Sequence, residues 1–130
     1  MSATVLVVDD SATTRSLVAS YLAGWGDIEV LEAASGFEAL RLLPTRAVDV
    51  IVTDINMPDI NGLELISFVR ANPNYRRIPV VIITTEHSAE DRKRGLVLGA
   101  SDYLVKPFSA EALRVAVAAA LGGRPGEGEA

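Results

Sequence analysis

Asp9, Asp10, Asp54, Thr84 and Lys106 are the side chains of this sequence whose types and places could do chemistry together. Each stands at or just past the end of a short apolar run. Asp9-Asp10-Ser11 follows Val5-Leu6-Val7-Val8. Asp54-Ile55-Asn56-Met57-Pro58 follows Val48 to Val52, Thr84-Thr85 closes the run from Val80 to Ile83, and Lys106-Pro107 follows Tyr103-Leu104-Val105. Three carboxylates gathered at one rim repel, and each raises the others' proton affinity unless a cation intervenes. Oxygen ligands with no Cys or His nearby suit Mg²⁺ or Mn²⁺. Mg²⁺ is commonly held by one or two carboxylates together with phosphate oxygens and waters. A lysine ammonium and a threonine hydroxyl beside it would stabilise a group bearing several negative oxygens.

Taken singly, each of these residues has an ordinary explanation. Asp9 or Asp10 at a strand-to-helix junction reads as a helix N-cap. Asp54 reads as a loop or turn residue, Thr84 as a strand end and Lys106 as a solvated lysine. The ordered set, each member at the carboxyl end of a strand, is what favours a site.

The elements that must position them alternate along the chain. The four apolar runs are short and rich in β-branched residues, which predicts strands buried on both faces. Ile28 to Leu31 alternates apolar and acidic at its start and reads as a half-exposed edge strand. Helical spacing lies between these runs. Leu17, Val18, Tyr21 and Leu22 share one face of a first helix, and Ser35-Gly36-Phe37-Glu38 is a candidate capping box for a second that carries Leu40 and Leu43. Leu65, Ile66 and Val69 mark a third after Gly62. A fourth starts near Ser88, with Glu90 and Asp91 in its first turn, and stops by Gly99. Leu113, Ala116, Val117, Ala120 and Leu121 mark a fifth. Five rounds of strand then helix predict an α/β domain, a parallel sheet with helices on both faces and right-handed crossovers. Ligands of such sheets bind outside the carboxyl ends of the strands, the rim where the five polar residues fall.

Composition narrows the function classes. The 130 residues fit one domain. Hydrophobic residues make up 49% and aromatic residues only 5%, so the core is built mainly from Val, Ile, Leu and Ala. The net charge of -5 gives no general attraction for nucleic acid or an anionic membrane. The absence of cysteine excludes disulfides, a thiolate nucleophile and a Cys-type zinc site. Met1 to Thr4 does not read as a signal peptide, and the apolar runs are too short to span a bilayer, so a cytoplasmic protein is expected. Neither G-x-G-x-x-G nor G-x-x-x-x-G-K-[ST] occurs. Residues 1–121 are expected to form the domain. The Gly-rich stretch 122–130 is expected to be a flexible tail or linker stub.

The ordered motifs closely resemble the receiver domain of two-component response regulators, of the CheY-like type. Val5 to Ser11 is similar to that family's opening strand and acidic pair. Asp54-Ile55-Asn56-Met57-Pro58 with Gly62 is similar to its phosphoacceptor loop, and Thr84 and Lys106-Pro107-Phe108 complete the pattern. The resemblance runs from about Thr4 to Leu121. It implies a flavodoxin-like sheet of order 2-1-3-4-5 flanked by five helices. It implies that Asp54 is phosphorylated by a histidine kinase or phosphotransfer protein. Asp10, Asp54 and the Asn56 carbonyl would ligate Mg²⁺, Asp9 would act through water, and Thr84 and Lys106 would contact the phosphoryl oxygens. The Lys106-Pro107 bond is typically cis in similar proteins.

The same resemblance implies a switch. Thr84 moves inward on phosphorylation, Tyr103 rotates, and the surface of the fourth helix, fifth strand and fifth helix binds an effector protein. Asn56 and Glu86 sit where such proteins tune dephosphorylation, and they match the pair of chemotaxis regulators. Thr85 is small enough to leave the site open. On this reading the chain is no enzyme beyond its own phosphoryl uptake and autodephosphorylation. Its partners are proteins, with no direct nucleic-acid contact and no membrane insertion. The competing class is a haloacid-dehalogenase-type phosphatase, which also uses an Asp nucleophile, Mg²⁺, a Thr or Ser and a Lys. Its loop usually carries a second Asp two residues on, where this sequence has Asn56. Of the remaining conspicuous residues, His87 is expected to face solvent, Trp25 to cover the edge of the core, and Met57 to pack in the loop after Asp54. Arg92-Lys93-Arg94 is expected to be an exposed basic face.

Overall fold

The computed structural model describes residues 2–85 and 89–122. The elements follow in strict alternation: β1 (Ala3–Val8), α1 (Ala12–Leu22), β2 (Ile28–Ala33), α2 (Gly36–Leu42), β3 (Val50–Asp54), α3 (Gly62–Ala71), β4 (Val80–Thr84), α4 (Ala89–Leu98), β5 (Asp102–Val105) and α5 (Ala110–Gly122). The strands form one sheet of order β2-β1-β3-β4-β5, with every neighbouring pair parallel. This is the flavodoxin-like topology that the resemblance implied.

The strand sequences explain the two-sided burial. Successive side chains point to opposite faces. Leu6, Val8, Ile51 and Ile82 enter one core with α2 and α3, while Val5, Val7, Val50, Val52, Val81 and Ile83 enter the other with α1 and α5. Each fully buried Leu, Ile or Val contributes about 1.5–3 kcal/mol. A one-residue slip would exchange the two sets, so the register is strongly specified.

Four expectations need correction. β3 starts at Val50, two residues later than Val48, and extends through Asp54. The Asp49 carboxylate is taken up outside the strand, accepting the Thr4 N–H at 2.7 Å. β5 is not buried on both faces; as an edge strand all four of its residues are partly exposed. Leu17 does not share the buried face of α1 and is 38% exposed, while Val18 and Leu22 are fully buried. α5 runs one residue into the expected tail, and residues 123–130 lie outside the described residues. β2 is the half-exposed edge strand expected.

Helix starts are chemically capped. The Ser35 hydroxyl accepts the Glu38 N–H at 3.0 Å. A reciprocal capping box stands at α3, where Asn61 accepts the Glu64 N–H and Glu64 accepts the Asn61 N–H. The sequence signal was present there, Asn three residues before Glu, but had not been singled out. Such a cap is worth about 1 kcal/mol, and it fixes the exit of the loop that begins at Asp54.

Candidate functional site

Asp9 follows β1 directly and Asp54 ends β3, its immediate neighbour in the sheet. The pairing Val8↔Thr53 places the two acids side by side at the carboxyl rim. One carboxylate oxygen from each of Asp9, Asp10 and Asp54 can be chosen so that all lie within 4.8 Å of one another. Asp9 is fully buried, Asp54 is 7% exposed and Asp10 faces solvent.

Lys106 enters this group from the end of β5. Its Nζ donates to Asp9 Oδ2 at 2.8 Å and lies 3.4 Å from Asp54 Oδ2. Its own N–H donates to the Thr84 carbonyl at 2.8 Å, extending the β4–β5 pairing by one step. The Lys106–Pro107 peptide bond is cis. Phe108, two residues on, is buried and meets the Tyr21 ring edge-on at 6.1 Å. That anchor holds the chain just past the lysine.

The two acids closest to Lys106 differ in what holds them. Asp9 Oδ1 accepts the Ser11 N–H at 2.8 Å while Oδ2 takes Lys106, so both of its oxygens are engaged by the protein. Among the described residues, Asp54 Oδ1 has only a long contact, 3.4 Å, from the Asn56 N–H. Burial holds the Asp54 carboxyl above the usual carboxylate range; Lys106 opposes this, Asp9 adds to it, and the Asn56 N–H opposes it. Burial pulls the Lys106 ammonium down, but its hydrogen bond to Asp9 and the charges of Asp54 and Asp9 outweigh that and raise it.

The charge balance decides what fits. Three carboxylates against one ammonium leave two uncompensated negative charges. A divalent cation with a preference for oxygen matches both that charge and the donor set. Asp10, exposed at the mouth, is the acid best placed to turn an oxygen outward; Asp9, with both oxygens occupied, is the least free to ligate directly.

Thr84 ends β4 one step past Ile83, the register partner of Asp54, and is fully buried at the same rim. Among the described residues no buried side-chain nitrogen or oxygen lacks a hydrogen-bond partner. Thr85 is exposed, and Met57 is buried in its loop. Gly62 is forced: a Cβ there would run into the Asp54 carbonyl oxygen and stand 2.9 Å from Ile55 Cα. Its N–H closes the loop by donating to the Ile55 carbonyl at 2.9 Å. Further round the same loop, Asp59 Oδ2 accepts the Phe37 N–H at 3.0 Å, which ties the loop to the start of α2. That backbone hydrogen bond is the main reason the Asp59 carboxyl lies below the usual range.

Tyr103 is half-buried on β5, with the Arg92 guanidinium 5.9 Å from its ring centroid. That distance is at the outer limit of a cation–π contact. Arg92, Lys93 and Arg94 are exposed on α4, and Trp25 is half-buried against the α1–α5 core. Glu86 and His87 lie outside the described residues. Arg15, which had not been singled out from the sequence, reaches the rim as well: its Nη1 donates to the Asp9 carbonyl at 2.6 Å and its Nε to Glu32 at 3.1 Å. An Arg at the fourth position of a helix carries no signal of that kind in the sequence alone.

Residues 5–118 match the family described as the response regulator receiver domain. The chain belongs to that family. This receiver domain is 42% identical to a chemotaxis protein CheY homolog of Campylobacter jejuni over 127 residues, covering 97% of this chain and 98% of the relative. It is 40% identical to the chemotaxis protein CheY1 of Helicobacter pylori over 91% of this chain and 96% of the relative. Among solved structures, the chemotaxis protein CheY4 of Vibrio cholerae superposes with a TM-score of 0.86 at 40% identity, covering 93% of this chain and all of that one. The receiver domain is thus of the CheY type and has the architecture of two-component signalling. Among the described residues no helix is long and apolar enough to cross a membrane.

Proposed function

We propose that this receiver domain is a phosphoryl-accepting switch in which Asp54 is the acceptor, and that it serves chemotaxis-type signalling in the cytoplasm. The observation that carries the proposal is the sharing of Lys106 between Asp9 and Asp54, with Asp10 close enough to complete a two-charge cation pocket. The donor is a histidine kinase or phosphotransfer protein. An Asp54 carboxylate oxygen forms the new bond to phosphorus, and the donor's phosphorus–nitrogen bond breaks with its electron pair leaving on the imidazole. Little covalent assistance is needed, since such transfer depends on positioning and charge stabilisation.

Asp54, Asp10 and the Asn56 carbonyl would hold Mg²⁺, with Asp9 acting through water. The cation supplies positive charge beside the phosphoryl oxygens. Lys106 opposes the effect of burial on the Asp54 carboxyl and then neutralises an oxygen of the incoming group. Thr84 donates its hydroxyl to another oxygen and is drawn inward. Tyr103 follows, and the α4–β5–α5 surface changes its affinity for an effector protein by shifting an existing equilibrium. Asn56 and Glu86 set the lifetime of the aspartyl phosphate. The eight residues after Gly122 serve as a tail or linker.

The test is phosphoryl uptake from acetyl phosphate with and without Mg²⁺, read by intact-protein mass spectrometry and peptide mapping. Wild-type protein should gain one phosphoryl group at Asp54, only with the cation, and Asp54→Asn should gain none. Uptake by Asp54→Asn at the wild-type rate would overturn the assignment. Beryllofluoride, a phosphoryl mimic, should change capture of a partner protein from a cell extract; equal capture in both states would count against the switch.

A further inference from the structure

We propose that Arg15 is a positioning residue that sets the orientation of Asp10 in the cation pocket, an inference that rests on the pocket's reading as a Mg²⁺ site. Arg15 sits near the N-terminus of α1, where the helix dipole disfavours a cation. Its side chain is nevertheless held in, 17% exposed, with two directional bonds. Nε donates to Glu32 near the end of β2, and Nη1 donates to the Asp9 carbonyl at 2.6 Å.

The second bond matters because of peptide geometry. The Asp9 carbonyl and the Asp10 N–H belong to one rigid plane. Fixing that carbonyl fixes the direction in which the Asp10 Cα leaves the strand. The plane before it is fixed too, by the Asp9 N–H donating to the Ala33 carbonyl at 3.1 Å. The Asp9 side chain is held by Ser11 and Lys106. Among the described residues no hydrogen bond or ion pair holds the exposed Asp10 side chain. Its placement therefore depends on the backbone, and the Arg15 fork, braced by Glu32, is what holds the backbone from the β2 side. A lysine could supply the charge but not the planar two-bond fork.

Charge and position pull in opposite directions, which makes the proposal easy to sink. Arg15 is a cation beside an acidic pocket. If its charge were all that mattered, removing it would tighten Mg²⁺ binding. If positioning governs, removal loosens it, and groups one step behind metal ligands typically change affinity by at least about tenfold.

The experiment is calorimetric titration of the full chain with Mg²⁺, with circular dichroism to show that each variant is folded. Asp10→Ala serves as the ligand control. Arg15→Met should weaken Mg²⁺ binding by about tenfold, and Arg15→Lys should weaken it nearly as much. Glu32→Gln should have a smaller effect in the same direction that persists at high ionic strength, where the loss of its charge alone would be screened, and it remains informative if the Arg15 variants do not fold. In acetyl phosphate reactions the half-saturating Mg²⁺ concentration should rise while the rate at saturating Mg²⁺ stays unchanged. Unchanged or tighter binding in folded Arg15→Met and Arg15→Lys, alongside loss in Asp10→Ala, overturns the role of Arg15 alone. Absence of Mg²⁺ binding by the wild type, or full binding by Asp10→Ala, overturns the reading of the pocket itself.

Discussion

β3 and β5 belong to one sheet, yet every residue of β3 is buried and every residue of β5 is partly exposed. The helices beside them differ in the same way. α3 buries five residues, Gly62, Leu63, Leu65, Ile66 and Val69, whereas α4 buries only Gly95. The acid pocket stands on the first kind of ground and the proposed output face on the second. A cation site needs fixed ligands. A surface that changes shape needs an alternative close in free energy, and parts that move are drawn from the least stable end of a structure. In this domain the two lie on different elements, joined at Lys106 and Thr84 through the β4–β5 pairing.

The largest expected effect tests the rigid side. Gly62→Ala puts a Cβ into the Asp54 carbonyl and near Ile55 Cα, both backbone atoms that cannot step aside. The loop or the start of α3 must shift, so the loss of stability should reach about 3 kcal/mol, the upper end for overpacking. Urea denaturation measures it. A loss below about 1 kcal/mol would mean that the loop after Asp54 yields as readily as the α4 side.

Arg70 marks where the two sides meet. From the last turn of α3 its guanidinium donates to the carbonyls of Arg76 at 3.1 Å, Ile78 at 2.6 Å and Gly99 at 2.8 Å. Desolvation in that position pulls the guanidinium below its ordinary range. Gly99 follows α4, so α4 is tied down at its C-terminal end. Arg70→Met leaves those carbonyls without this donor and should cost about 2 kcal/mol. Hydrogen exchange should speed up at Gly99 and Ala100, whose N–H groups close the end of α4, while Mg²⁺ affinity stays unchanged. A change in Mg²⁺ affinity of tenfold or more would show that the two regions are not separable.

Much of this arrangement was legible in the sequence, for a physical reason. Buried parallel strands read as near-continuous apolar runs rich in β-branched residues, so Val5 to Val8 and Val80 to Ile83 announced themselves, and the rim residues followed from the ends of those runs. β5 misled because Tyr103-Leu104-Val105 has the same composition as a central strand; its edge position followed only from the order that the resemblance implied, since periodicity does not encode order. The Asp9, Asp54 and Lys106 cluster was legible because each residue stands at the carboxyl end of a strand run, the rim where such sheets bind ligands. Arg15 and Arg70 were not, because an arginine that binds carbonyls across long sequence separations looks like any surface arginine.

Asp54→Asn should have a smaller effect on stability, with a diagnostic sign. The folded-state affinity of Asp54 for its proton is raised above the ordinary value of 3.8. Its contribution is therefore fully present below that value and is lost as pH rises through the raised folded value. Without divalent cations the Asn variant should melt with or below wild type in acid and above it near neutrality. Saturating Mg²⁺ should narrow the gap by stabilising wild type more than the variant. Thermal melts across that range with chelator and with Mg²⁺ check it; a variant less stable than wild type at neutral pH in chelator would show that Lys106 outweighs burial in the pocket.

The smallest effect probes the α4 side. A Cβ at Gly95 would lie 2.5 Å from Ile82 Cδ1, the tip of a side chain that can turn away, with its next neighbour, Leu63 Cδ2, at 3.7 Å. Alanine also gains about 1 kcal/mol over glycine inside a helix, which offsets most of the crowding. Net stability should change by less than about 1 kcal/mol. The geometry should change more, because relief of the contact lifts α4 from β4 while Arg70 retains its far end. Exchange of the α4 amides, and the difference in effector capture with and without beryllofluoride, should therefore respond more strongly than the denaturation midpoint. A loss of stability as large as that from Gly62→Ala would place α4 on the same rigid ground as α3, and the division between a fixed pocket and a yielding output face would not hold.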